Sequence, residues 1–163
     1  MRLVALLASL FVLSGGNWHT FRAHGISVRY PPNWFATARD LTPVTAPAQI
    51  LAVATFRLPG GSGGADGCEP KEALDRMPPG GAFIFGWEYG AGSGVRKSDF
   101  PLRPKHFRLK TYARYECLGP SFMLRFRQAG RFFQIHVALG RRASTATRVT
   151  VLRVLDSFRS KPT

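Results

Sequence analysis

Soon after Asn17 the apolar and polar positions begin to alternate with the two-residue period of strands. Thr20–Ala23 and Ile26–Tyr30 flank His24-Gly25, and Ile26, Val28 and Tyr30 alternate with Ser27 and Arg29, which predicts a tight hairpin. Pro31-Pro32 ends its second strand. Gln49–Phe56 is almost wholly apolar and reads as a strand covered on both faces. Gly81–Tyr89 alternates, placing Phe83, Phe85, Trp87 and Tyr89 on one face. That row reads first as a core face and second as the wall of a ligand groove. Three further strands are predicted over His106–Cys117, as one strand or an interrupted one, Ser121–Gln128 and Arg131–Leu139.

The last two form a hairpin whose register follows from side-chain direction, because directly opposed residues must point the same way. Phe126 is set against Phe133, Leu124 against Ile135 and Phe122 against Val137, leaving Ala129-Gly130 as the turn. The other face then pairs Arg127 with Phe132, Arg125 with Gln134 and Met123 with His136. Two helices complete the reading. A short one begins near Pro70, with Glu69 and Glu72 at its positive end, and stops at Pro78-Pro79. A C-terminal one spans Ser144–Arg159, capped by Ser144 or Thr145, with Val151, Leu152, Leu155 and Phe158 buried and Arg148, Arg153 and Arg159 solvated. The expected fold class is α+β, a mainly antiparallel sheet of about six strands covered by the C-terminal helix and the short helix.

The N-terminus has a different character. Leu3–Leu13 is an apolar run preceded by Arg2 and followed by Ser14-Gly15-Gly16, the layout of a secretory signal and too short to span a bilayer. Residues 1–16 are therefore expected to be a signal peptide or N-terminal membrane anchor, residues 17–163 a single domain, and the location extracytoplasmic. In an exported chain the only two cysteines, Cys68 and Cys117, are expected to form one disulfide. In the chain-entropy picture such a bond contributes about 4 kcal/mol.

Charge adds a third element. The 163 residues carry 23 Lys and Arg against 9 Asp and Glu, a formal net charge of +14. Residues 1–95 hold 7 basic and 6 acidic side chains, whereas residues 96–163 hold 16 and 3. The basic C-terminal half is expected to attract an acidic protein, an anionic cell-envelope component, anionic lipid or nucleic acid. Arg125, Arg127, Phe132, Gln134 and His136 form the candidate binding face, a cationic and aromatic sheet surface of the kind that stacks bases. The alternative is that they lie beneath a covering helix.

Few motifs suggest catalysis. Gly60-Gly61-Ser62-Gly63-Gly64 fits G-x-S-x-G, which makes Ser62 a candidate nucleophile and the run, more simply, a linker. His19, His24, His106 and His136 show no metal-ligand spacing, and neither a carboxylate dyad nor a phosphate-binding glycine loop is present. The reading is a non-enzymatic domain with no cofactor.

Three stretches carry a resemblance. Gly25 to Trp34 reads Gly-Ile-Ser-Val-Arg-Tyr-Pro-Pro-Asn-Trp, Gly130 to Gly140 closes a hairpin, and Val154 to Phe158 lies on the last helix. Together they resemble the PsbP-like sandwich, the fold of the photosystem II extrinsic subunit, of a Ran-binding nuclear import factor and of many exported actinobacterial proteins. The resemblance implies an antiparallel sheet sandwiched by helices, without catalytic machinery, that docks to other proteins. It assigns no site residues. The expected function is an exported or membrane-tethered binding domain for a protein or envelope component, with nucleic-acid binding and a Ser62 hydrolase as alternatives.

Overall fold

The computed structural model describes residues 17–61, 67, 70–90 and 92–162. The proposed signal segment at 1–16, Ser62 and Cys68 lie outside the described residues.

The first predicted hairpin forms as β1 (His19–Ala23) and β2 (Ile26–Tyr30), and His24 and Gly25 at its turn both have positive φ. A two-residue strand near the C-terminus, Arg159–Ser160 (β9), pairs antiparallel with β2 and completes a three-stranded sheet. The larger sheet has six strands: β3 (Phe35–Thr37), β4 (Ala48–Ala54), β5 (Ala82–Tyr89), β8 (Arg131–Leu139), β7 (Gly119–Gln128) and β6 (Tyr112–Tyr115), in that spatial order. All its ladders are antiparallel. Two helices, α1 (Lys71–Asp75) and α2 (Thr145–Asp156), complete the α+β architecture.

The β7–β8 register is the one that side-chain direction requires, with Phe126 opposite Phe133, Leu124 opposite Ile135 and Phe122 opposite Val137. Its turn, Ala129-Gly130, has positive φ at both residues, the twist that suits a two-residue hairpin. One face of the large sheet contributes Ile84, Phe126, Phe133, Ile135 and Val137 to a buried cluster with Phe21, Ile26 and Val28 of the small sheet. Val151, Val154, Leu155 and Phe158 join it, and the Phe158 ring meets Phe126 and Phe133 at centroid distances of 5.1 and 5.0 Å. The other face buries Phe83, Phe85 and Trp87 with Leu41, Ala73 and Leu118. β4 serves both clusters through Leu51 and Val53 on one side and Ala52 and Ala54 on the other.

Two expectations are corrected. Of His106–Cys117 only Tyr112–Tyr115 is a strand. The backbone N–H of Phe107 donates to the Asp156 carboxylate at 2.7 Å, and residues 101–103 already occupy the outer edge of β7 through Arg127 N–H to Pro101 O and Arg103 N–H to Arg127 O. The C-terminal helix ends at Asp156, short of Arg159. Ser157 closes it, and Phe158 and Arg159 turn away so that β9 can reach β2. Ser144 is the cap, accepting from Thr147 N–H.

The sheets are also joined by an ion pair between a buried arginine and a half-buried glutamate. Arg131, 7% exposed, donates to both carboxylate oxygens of Glu88 at 2.6 Å. Its remaining N–H groups reach the carbonyls of His24, Gly25 and Lys161, so all five guanidinium donors have acceptors. A Cβ at Gly25 would stand 2.8 Å from the Arg131 Nη1, on a backbone of φ +67°.

Breaking such a pair on one side leaves a buried charge or carbonyls without partners. Arg131→Met is expected to cost about 3–5 kcal/mol in chemical denaturation. In a cycle with Glu88→Gln the two losses should be non-additive by more than about 1 kcal/mol, and additive losses would contradict the pairing.

Candidate functional site

The face of the large sheet that carries Trp87, Tyr89, Met123, Arg125, Gln134 and His136 is where the candidate residues meet. Strand alternation puts them there: Trp87 is opposite Gln134, Met123 opposite His136 and Arg125 opposite Gln134. Arg125 Nε donates to Gln134 Oε1 at 2.8 Å, and the Tyr89 hydroxyl donates to the same oxygen at 3.3 Å. With its oxygen thus committed, Gln134 presents Nε2 to His136 Nε2 at 2.9 Å. His136 must accept there, so its proton sits on Nδ1 and is donated to Ser121 Oγ at 3.1 Å.

This direction of bonding answers whether Ser121 and His136 form a nucleophile and base. A general base accepts the hydroxyl proton, whereas here the imidazole donates to the hydroxyl. Ser121 is also fully buried. The pair is structural. Burial first, and the Arg125 charge second, push the pKa of His136 down to about 4.

The five predicted face residues are not one open surface. Gln134 and His136 are buried. Phe132 packs edge-on against Phe100 at 5.4 Å, and Arg127 Nη1 donates to the carbonyl of Phe100 and, at 3.3 Å, to that of Lys97. The connection through Phe100, entered by the one-turn 3-10 helix Lys97–Asp99, covers this end of the sheet. Arg125 alone of the five is exposed. Of the predicted aromatic row, Phe83 and Phe85 are core, while Trp87 and Tyr89 line a cleft of about 320 Å³ with Tyr115, Met123 and Arg125.

A second depression lies on the other side of Arg125. The outer edge of β7 is met at Arg127 by Pro101 and at Met123 by the carbonyl of Thr111. Between these points the chain detours through residues 104–110, tied to the end of α2 by Arg103 Nη2 to Asp156 O and by His106 and Phe107 to the Asp156 carboxylate. By the two-residue period the backbone N–H of Arg125 faces this same edge, and no backbone acceptor among the described residues meets it. The resulting groove, about 530 Å³, is lined by Pro101, Leu102, Arg108, Lys110, Met123 and Arg125 among others. Leu102 is 70% exposed.

Sequence reasoning set Arg125 beside Gln134 but did not draw in Ser121, Trp87 as a polar group, or Tyr115. Ser121 had a signal: extending the hairpin register one step past Phe122 makes it a diagonal neighbour of His136. Among the described residues no group of three or more His, Cys, Asp or Glu could hold a metal, and no helix is long and apolar enough to cross a membrane. Cys117 is half-buried and is not a free thiol. Comparison with protein families, curated proteins and solved structures finds no match for this chain.

A histidine whose folded pKa lies below its unfolded value of about 6.5 takes up its proton more readily when unfolded. Its contribution to stability is therefore intact above about pH 6.5 and is lost as pH falls toward 4. The loss should reach up to about 3 kcal/mol in wild-type protein. It should be absent in His136→Gln when urea denaturation of the two is compared across that range. Parallel pH profiles would contradict the assignment.

Proposed function

We propose that this chain is an exported, non-enzymatic docking domain with a PsbP-like sandwich fold, and that its groove beside β7 receives an extended acidic segment of a partner protein. The observation that carries the reading is the gap in the outer edge of β7 at Arg125, flanked by Arg108 and Lys110. An unpaired strand edge offers main-chain hydrogen bonds to an extended peptide. Exposed cations around it select an acidic one and speed its encounter. Leu102, Pro101 and Met123 supply apolar contact.

The charge pattern supports an anionic partner for the same region. Of the three acids in residues 96–163, Asp99 pairs with Arg96, Asp156 holds His106 and the Phe107 amide, and Glu116 lines the other cleft, so that among the described residues neither Arg108 nor Lys110 forms an ion pair. Both are exposed.

Titration of isotope-labelled protein with an octa-glutamate peptide tests the reading. Amide shifts should concentrate at residues 101–111 and 123–127. Arg108→Glu with Lys110→Glu should weaken binding by about tenfold or more, while Arg141→Glu with Arg142→Glu, the same change in net charge, should leave it within about twofold. Equal weakening by both pairs, or equal affinity for an oligonucleotide, would mean charge attraction without a site.

A further inference from the structure

The cleft on the opposite side of Arg125 shares Met123 and Arg125 with the docking groove and adds aromatic residues that the groove does not have. Trp87, Tyr89 and Tyr115 give it aromatic walls, and Met123 closes one side. The Trp87 indole N–H is buried and has no hydrogen-bond partner among the described residues. Trp87 itself is 4% exposed. A buried donor without an acceptor destabilises the protein, so the position is costly unless something supplies an acceptor.

Arg125 supplies the second, independent observation. Its Nε is fixed by Gln134 Oε1, and its guanidinium lies 5.8 Å from the centroid of the Phe100 ring. Its terminal nitrogens have no acceptor among the described residues. The side chain is thus oriented through one nitrogen, and it lines the cleft with its terminal nitrogens uncommitted, close enough to Asp99 for its charge to add, behind the hydrogen bond from Arg96, to the lowering of that carboxyl's pKa. His136 cannot compete for an anion, since both its ring nitrogens are engaged.

We propose that this cleft binds a small planar aromatic carboxylate. The ring lies among Trp87, Tyr115 and Met123, where aromatic edges and a thioether give favourable contact. The carboxylate meets the open fork of Arg125, which suits a planar two-oxygen acceptor. A further acceptor atom of the ligand satisfies the Trp87 N–H. Glu116 also lines the cleft, and its charge disfavours a phosphate dianion relative to a singly charged carboxylate. The volume of about 320 Å³ accommodates one or two fused rings.

The probe is indole-3-acetate, followed through the Trp87 indole N–H resonance, which Trp87→Phe assigns among the three tryptophans. The expected result is a saturable shift with a Kd below about 1 mM. Indole, which lacks the carboxylate, should bind about tenfold or more weakly, as should indole-3-acetate to Arg125→Met. Trp87→Phe, which keeps a ring and removes the donor, should weaken binding by about threefold to tenfold, read from backbone amide shifts of Tyr89 and Tyr115. The Arg108→Glu and Lys110→Glu pair should leave binding within about twofold, which separates this proposal from the docking groove. No saturable shift up to about 10 mM, or an affinity indifferent to Arg125→Met, would overturn it.

Discussion

The bidentate pair between Arg131 and Glu88 is the constraint on which the arrangement of the two sheets depends. β5 and β8 carry it on the face opposite the cleft, and the three carbonyls that Arg131 also holds belong to the β1–β2 turn and to the residue after β9. One side chain therefore joins the central ladder of the large sheet to one end of the small sheet, where the β1–β2 turn and the chain after β9 lie side by side. The apolar cluster of Phe21, Ile26 and Val28 with Phe133 and Phe158 brings the sheets together, but apolar contact is not directional. The guanidinium holds the turn in place, because all five of its donors are committed to acceptors on β5, on the turn and after β9.

On the other face of the same strands a chain of hydrogen bonds has a comparable role at smaller scale. It runs from Arg125 through Gln134 and His136 to Ser121, and each donor determines the next. The amide of Gln134 cannot turn without breaking the bond to Arg125, and the imidazole cannot be protonated without losing its acceptor role. The network keeps His136 neutral and leaves the outer end of Arg125 free. Buried polar chains of this kind give specificity more than stability. Here the product is a cation held at a defined place, on the rim shared by a groove and a cleft.

Much of this was legible in the chain itself. The β7–β8 register followed from the need to keep Phe122, Leu124 and Phe126 on one face with Phe133, Ile135 and Val137, and two-residue periodicity with a Gly at the turn decided it. β1, β2, β4 and β5 were similarly explicit. What escaped notice was non-local. No pattern in Arg159 and Ser160 announces a strand, since the partner that makes them one is β2, over a hundred residues away. Phe107 and Leu109 alternate as a strand should, yet an aspartate at the end of α2 takes the Phe107 amide. Arg131, the first residue of a predicted strand, is a buried ion whose partner Glu88 lies on the neighbouring strand β5, 43 residues earlier in the chain. Gln134 and His136 sat correctly on one face, but nothing local told that Phe100 and its neighbours cover part of that face.

The central claim is that a positioned guanidinium, not the net charge of +14, makes this surface selective. Arg125→Lys tests it most directly, because it keeps the charge and removes both the Nε donor to Gln134 and the fork. Isothermal titration of that variant with indole-3-acetate should show affinity reduced about as far as charge removal reduces it, by about tenfold or more. Affinity equal to that of the unaltered protein would mean that charge alone suffices and would contradict the account.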